Sequence, residues 1–182
     1  MISLWFVDQS GFAPTLPTNH TWGRLGKRLL VPYQAPQGRR VNVVGAVAPH
    51  DPAGVRFVYE TRCKSEGRYD ATAHLAFVER VAAAGDPDRP CVVVLDNYAV
   101  HHAKPVQAAV PDLTERGITF CYLPPYSPEL NPIEAVWKQV KHYELPERSY
   151  PTETALQQAV EAALDRRAPT LHKPTHNLPR HA

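Results

Sequence analysis

The most constraining feature of this chain is an unbroken run of mainly β-branched residues, Cys91–Leu95, which ends in Asp96 and Asn97. A continuous apolar run of this length predicts a strand that is buried on both of its faces. Such strands belong to sheets that are covered by helices on both sides. The run therefore predicts an α/β fold with an acidic residue at the end of a central strand.

The segments around this strand alternate between strand and helix patterns. Ser3–Val7 is predicted to be a strand that Asp8 and Gly11 close, and the region from Phe12 to Arg40 is predicted to be irregular, with a short strand near Trp22. The remaining predicted elements are strands at Val41–Ala48, Val55–Tyr59 and Ile118–Leu123, and helices at Ala71–Ala84, Ala103–Val110, Pro132–Tyr143 and Thr152–Arg166.

This order of elements predicts one domain with a mixed sheet flanked by helices. Three strands precede the first helix, and helices then alternate with strands, which is the ribonuclease H-like order. The 182 residues suit a single domain, which we expect to span residues 1–167. Residues 168–182 have no period and few large apolar side chains, so we expect a disordered tail.

Composition excludes several classes of protein. No apolar run reaches the roughly 18 residues that a membrane span needs, and the N-terminal residues do not resemble a signal peptide, so a cytoplasmic protein is expected. Cys63, Cys91 and Cys121 are scattered and odd in number, which predicts buried thiols and neither disulfides nor a zinc site. A net charge of +2 does not by itself identify a nucleic-acid partner.

Asp8 and Asp96 both follow predicted strands. Ligands of open α/β sheets bind where strand ends converge, so the two carboxylates are expected to meet. Carboxylates suit Mg²⁺, and a pair of such ions can promote displacement at a phosphodiester. An aspartate at a strand end is also a common turn former, and for either residue alone that structural role is the commoner one.

Three motifs carry more information than these positions. They are WFVDQSGF at 5–12, VVLDNYAVHH at 93–102 and LPPYSPELNPIE at 123–134. In this order they resemble the motifs of DDE-type transposases in the mariner-like superfamily and its bacterial insertion-sequence relatives. The resemblance extends from Ser3 to about Arg166.

The resemblance implies a site and an activity. It implies that Asp8, Asp96 and Glu134 are the catalytic residues and ligate two metal ions, Mg²⁺ or Mn²⁺. It further implies an endonuclease that cleaves and joins DNA strands at transposon ends, acts on double-stranded DNA and forms a homo-oligomer there. Position 9 is Gln where many relatives carry Glu, and we expect this difference to be tolerated.

Glu134 also has a structural interpretation. Asn131 suits an N-cap, Pro132 suits the first helical position, and Glu134 would then complete a capping box at N3. The motif favours metal ligation, because a carboxylate on the first helical turn can face the strand ends. Glu129 is a second candidate ligand, which the resemblance leaves as a turn residue.

Other candidates have ordinary alternatives. Basic residues that could contact DNA phosphates, or could simply be solvated, are Arg24, Lys27, Arg28, Lys138 and Lys141. His101 and His102 lie close enough to Asp96 to approach a phosphate, although paired histidines at a helix start are usually structural. Trp137 is predicted to pack in the core.

Asp8 lies so near the first residue that the helix-turn-helix region of the resembled family has no room before it. We therefore expect a separate N-terminal helix-turn-helix product, or else a truncated remnant. Three hypotheses follow: an active transposase catalytic domain, a host nuclease of ribonuclease H-like fold, and a non-enzymatic remnant or DNA-binding accessory. The proline-rich motif before Glu134 argues against the host nuclease.

Overall fold

The computed structural model describes residues 2–15, 24–26, 30, 33–35, 40–51, 56–146 and 149–171. Five strands form one sheet in the order β3-β2-β1-β4-β5. The strands are β1 (Ser3–Phe12), β2 (Val41–Ala48), β3 (Arg56–Arg62), β4 (Cys91–Leu95) and β5 (Ile118–Tyr122), and the helices are α1 (Ala71–Ala84), α2 (Lys104–Glu115), α3 (Ile133–Gln139) and α4 (Glu153–Leu171).

The sheet is mixed. β1, β2 and β3 form an antiparallel meander, whereas β1, β4 and β5 are parallel to one another. This arrangement leaves β1 at the centre, with an antiparallel neighbour on one side and a parallel neighbour on the other. The predicted α/β class, a mixed sheet flanked by helices, is confirmed.

Two apolar cores lie on opposite faces of the sheet. One core joins the sheet to α3 and α4 and includes the buried side chains Trp137 and Leu156. The other joins it to α1 and α2 and includes Trp5, Phe77 and Leu113. Burial of apolar surface on both faces stabilises the sheet by about 25 cal/mol per Å², and it explains why β4 is apolar along its whole length.

Most predicted elements are present, with differences at their ends. β2, α1 and β4 have the predicted bounds, and the Asp70 side chain caps α1 by accepting from Ala73 N at 2.9 Å. α2 continues five residues beyond Val110, with Pro111 inside it. Trp22 lies outside the described residues.

The prediction that a strand ends at Asp8 is wrong. β1 continues through Phe12, because Asp8, Gln9, Ser10 and Gly11 all pair with β2. The polar residues and the glycine of this segment resemble a turn in sequence, but the pairing with β2 overrides that local preference.

Two further predictions need correction. Cys63 and Cys91 are buried as expected, but Cys121 is exposed on the edge strand β5. α4 extends through Leu171, into the segment predicted to be a tail, while residues 172–182 lie outside the described residues.

None of the described helices combines the length and the apolarity that crossing a bilayer requires.

Candidate active site

Asp8 and Asp96 occupy equivalent positions on neighbouring parallel strands. The pairing of β1 with β4 ends at Phe6 and Val94, and each aspartate lies two residues beyond the last residue that takes part in this pairing. Because side chains alternate along a strand, Asp8 lies on the same face of β1 as Phe6, which packs against the core formed with α3 and α4. The expected meeting of the two aspartates at one edge therefore follows from the register.

Asp8 is fixed by a hydrogen bond from the helix layer. Trp137 Nε1 on α3 donates to Asp8 Oδ2 at 2.9 Å. The pKa of Asp8 is raised to about 6, mainly by burial and also by the negative charges of Glu134 and Asp96. The hydrogen bonds from Gln9 N–H and Trp137 oppose this rise. Asp8 is thus a half-buried carboxylate at which negative charge is crowded.

Trp137 can reach Asp8 because of the residue opposite Asp8 on β2. That residue is Gly45, which pairs with Asp8 in the antiparallel register. A Cβ atom built on Gly45 would lie 2.6 Å from Trp137 Cη2, which is closer than non-bonded carbon atoms approach. The missing side chain therefore provides the space in which the indole ring lies.

Asp96 is held in place by the segment that follows it in the chain. His101 Nδ1 lies 3.0 Å from Asp96 Oδ1, and Tyr98 N donates to the same oxygen at 3.1 Å. These contacts, with the His101 hydrogen bond as the largest effect, hold the pKa of Asp96 below its usual range. Asp96 is therefore a stably ionised carboxylate.

His101 is a buried residue and belongs to a small histidine pair. Its side chain is 2% exposed, and its ring lies 4.6 Å from that of His74, centroid to centroid. Burial, together with the nearby His101, lowers the pKa of His74 to about 3, so His74 is neutral. His102, by contrast, is exposed and stacks on Tyr122.

Glu134 lies on the first turn of α3 and is exposed. The structure does not support its alternative role in a capping box. α3 begins at Ile133, with Pro132 rather than Asn131 at the N-cap position, and the Asn131 N–H is already bonded to Pro128 O at 3.0 Å. The Glu134 carboxylate is therefore not needed by that N–H group.

Asn131 links the proline-rich segment to β1. Its side chain is buried, and its Nδ2 donates to Val7 O at 3.4 Å, next to Asp8 in the chain. Its Oδ1 accepts from Ile133 N at 3.4 Å, at the start of α3. Asn131 thus connects the helix that carries Glu134 to the strand that carries Asp8.

The three predicted carboxylates line one open cavity of about 440 Å³. A second cavity of about 190 Å³ adjoins Asp8 and Asp96 and is also lined by Gln9 and His101. Among the described residues, no three His, Cys, Asp or Glu side chains gather closely enough to hold a single ion. Three carboxylates around one cavity are nevertheless hard oxygen donors of the kind Mg²⁺ and Mn²⁺ prefer, and a cation would relieve the crowding of charge at Asp8.

The basic candidates are more dispersed. Lys138 on α3 and Arg24 are exposed, and Lys27 and Arg28 lie outside the described residues. Lys141 is half-buried, with its Nζ 5.3 Å from the centre of the Phe12 ring, and burial lowers its pKa. None of these described side chains lines the 440 Å³ cavity.

Sequence reasoning missed the residues that hold the aspartates. The sequence predicts only core packing for Trp137, yet this residue lies three residues after Glu134, on the same side of a helix. That spacing was a usable signal. For His101 the sequence leaves two roles open, an approach to phosphate or the commoner structural role, and nothing local in the sequence indicates its burial against His74.

Known proteins resemble this chain in sequence. The family described as DDE superfamily endonuclease matches residues 3–157. An uncharacterized protein, y4pE/y4sA of Sinorhizobium fredii (strain NBRC 101917 / NGR234), is 35% identical over 96 residues, which cover 53% of this chain and 62% of that protein.

Solved structures share the fold. The Mos1 transposase paired-end complex with left transposon end matches with a TM-score of 0.66 at 17% identity, and the Mos1 mariner paired end complex with Mn matches with a TM-score of 0.63 at 16% identity. Each match covers 92% of this chain and 48% of that chain, so this chain spans about half the length of those proteins. The sheet and its flanking helices thus have the ribonuclease H-like fold of a transposase catalytic domain. With most of its length matched to that family, the chain belongs to the DDE superfamily endonucleases.

Proposed function

We propose that this chain is a transposase catalytic domain that cleaves DNA strands and joins them to new sites. The observation that carries the proposal is that Asp8, Asp96 and Glu134, from three separate motifs, line one cavity. Family membership supports an endonuclease activity, and the Mos1 structures that share the fold contain transposon ends.

We further propose that Asp8, Asp96 and Glu134 are the catalytic residues and ligate two divalent ions. The donor set and the crowded charge at Asp8 fit such ions. Solved Mos1 complexes carry Mn in one case and Mg in another. When bound, a pair of ions activates the attacking oxygen of water or of a 3′-hydroxyl and stabilises the leaving oxygen.

The protein's own contribution is to fix the carboxylates before DNA arrives. Trp137 orients Asp8 from the helix layer, and His101 with the Tyr98 N–H orients Asp96. Glu134 lies on a helical turn that Asn131 ties to β1. Partners that hold ligating groups in place are a general feature of metal sites, and they keep the ligands in the geometry that the reaction needs.

The proposed partner is double-stranded DNA, both transposon ends and target. Lys138, Lys141 and Arg24 are proposed phosphate contacts outside the cavity, together with Lys27 and Arg28. A homo-oligomer on DNA and a separate helix-turn-helix product for recognition of the ends complete the proposal. The catalytic domain is proposed to span residues 1–167, the bounds expected from the sequence, and α4 continues beyond them to Leu171.

Nicking of supercoiled plasmid in Mg²⁺ or Mn²⁺ tests the proposal. Wild type should convert the plasmid to open circles, and chelation with EDTA should stop the reaction. Asp96→Asn should lose nearly all activity while folding normally, because asparagine keeps an oxygen for His101 but removes the charge. A folded wild-type protein that never cuts would favour a non-enzymatic remnant, and an Asp96→Asn variant as fast as wild type would remove Asp96 from the site.

A further inference from the structure

The turn before α3 holds one residue in a strained backbone conformation. Tyr126 has a φ of 56°, and it is the one non-glycine residue with positive φ in the part of the chain that the structure describes. It follows Pro125, which suits the first central position of a turn, and the next position favours glycine when φ is positive. A bulky residue there costs conformational energy, and strain of this kind concentrates at functional sites.

No contact of the Tyr126 side chain with the described residues compensates for this strain. Its relative exposure is 101%, the highest of any described tyrosine. Within the described residues, its ring packs on no other ring and its hydroxyl has no hydrogen-bond partner. The strain is therefore not offset by packing or by hydrogen bonding within this chain.

A second exposed tyrosine lies at the same cavity. Tyr98 is 51% exposed, and its ring meets that of His101 edge-on at 5.9 Å. Both tyrosines line the 440 Å³ cavity together with the three carboxylates, and prolines of the turn line it as well. The lining of the cavity thus combines acidic side chains with exposed tyrosine rings and prolines.

This combination suits a nucleobase better than a phosphate chain. No lysine or arginine is among the described residues that line the cavity, so its walls offer no cation to the DNA backbone. Exposed aromatic rings bind bases by stacking, and they do so with little regard to sequence. A strand whose phosphate lies at the carboxylates would bring an adjacent base to the tyrosines.

We propose that Tyr126, assisted by Tyr98, forms a stacking site for an unpaired nucleobase next to the phosphate that is cut. This inference rests on the proposed function, because it places DNA in the cavity. The base could belong to a strand end or to a continuous strand. Both present the same chemistry, and the test separates them.

Binding of labelled duplexes, followed by fluorescence anisotropy with Ca²⁺ in place of Mg²⁺, tests the proposal. One duplex carries a few unpaired thymines at a 3′ end, a second carries the same thymines as an internal bulge, and matched duplexes carry abasic sites instead. The readout is the ratio of affinities for thymine and abasic DNA, which cancels general attraction to the backbone. The variants are Tyr126→Gly, Tyr126→Ala and Tyr126→Phe, with Tyr143→Ala as an exposed tyrosine outside the cavity.

Wild type should prefer thymine over abasic DNA by about tenfold, which is within the range for stacking of one base on an aromatic side chain. Tyr126→Gly and Tyr126→Ala should lose most of that preference, and Tyr126→Phe and Tyr143→Ala should keep it. Tyr126→Gly should melt at no lower a temperature than wild type, because glycine adopts positive φ freely. If the preference for thymine is larger in the duplex with the 3′ extension than in the bulged duplex, the base belongs to a strand end. If the preference in the bulged duplex is at least as large, the base belongs to a continuous strand.

Equal affinity of wild type for thymine and abasic DNA would overturn the proposal, as would a preference that Tyr126→Gly retains. Plasmid nicking reports separately on the proposed function. Wild type that nicks in an Asp96-dependent way but shows no base preference would refute only the stacking site. A base preference without any nicking would refute the catalytic proposal alone.

Discussion

At the scale of single residues, the hydrogen bond from Trp137 to Asp8 is the contact with the clearest consequence. Trp137→Phe keeps most of the ring but removes the donor, so the Asp8 carboxylate loses a charge-assisted hydrogen bond. We expect metal-dependent nicking and Mn²⁺ affinity to fall by about 10- to 100-fold, as for other residues that orient metal ligands. Plasmid nicking and Mn²⁺ titration measure the two effects.

Trp5→Phe is the matched control for this prediction. Trp5 is also fully buried, but its Nε1 has no hydrogen-bond partner among the described residues. Removal of an unsatisfied donor costs little, so both Mn²⁺ affinity and nicking should stay near wild type. Equal losses in the two variants would mean that Trp137 acts only through packing.

The raised pKa of Asp8 predicts how stability changes with pH in metal-free protein. Its pKa is raised from 3.8 to about 6, mainly by burial, so the folded state binds more protons than the unfolded state between these values. The contribution of Asp8 to the free energy of unfolding is therefore largest below about pH 4, and it is lost as the pH rises through 6. In EDTA at pH 7.5, Asp8→Asn should therefore be more stable than wild type by on the order of 1–3 kcal/mol.

Denaturant unfolding at several pH values measures this effect. The advantage of Asp8→Asn should shrink as pH falls towards 4, because wild-type Asp8 then becomes protonated in the folded state. It should also shrink when Mn²⁺ stabilises the wild type. A variant that is less stable than wild type at pH 7.5 in EDTA would contradict the account of Asp8 as a destabilised, crowded carboxylate.

At the scale of elements, the site depends on how closely α3 packs against β2. Gly45→Ala would place a Cβ 2.6 Å from Trp137 Cη2, so the ring or the whole helix must move. Overpacking of this kind costs about 1–3 kcal/mol. We expect that loss in denaturant unfolding, together with a loss of nicking, because Trp137 and Glu134 lie on the same helix.

Gly11→Ala is the comparison within the same sheet. The three heavy atoms nearest to a Cβ at Gly11 all belong to the guanidinium of Arg40, the far end of a flexible side chain. Gly11→Ala should therefore lower the free energy of unfolding by less than Gly45→Ala does. If Gly45→Ala were as stable and as active as wild type, close packing of Trp137 on β2 would not be what positions α3.

The elements also mark where sequence reasoning succeeds and where it stops. The uniform apolar run of β4 and the helical spacing of α1 are local signals, and both elements have the predicted bounds. β1 runs past Asp8 because β2 pairs with it, and that partner lies about 30 residues away along the chain. Local sequence could not indicate this extension, since polar residues followed by glycine favour a turn equally well.

The same difference between local signals and long-range contacts applies to the site. The three motifs that resemble a known family single out the three carboxylates that line one cavity, and the parallel register explains why two of them lie together. The spacing of Trp137 from Glu134 indicates that both lie on one side of a helix, but the partners of Trp137 and Asn131 could not be predicted. The contacts of Trp137 with Asp8 and of Asn131 with Val7 join residues more than 120 positions apart.

At the scale of the whole molecule, the sheet and the helix layer each supply part of one site. Strand β1 carries Asp8, Asp96 directly follows β4, α3 carries Glu134, and all three line the 440 Å³ cavity. The central claim is that these three carboxylates hold divalent ions together.

Mn²⁺ binding to the DNA-free protein, followed by the electron paramagnetic resonance signal of the free ion, tests that claim most directly. Glu129→Gln is the control, because Glu129 is exposed in the same proline-rich segment but does not line the cavity. We predict that Asp8→Asn, Asp96→Asn and Glu134→Gln each weaken Mn²⁺ binding by about tenfold or more while Glu129→Gln binds as wild type does. Wild-type affinity in all three cavity variants, or an equal loss in Glu129→Gln, would contradict the claim.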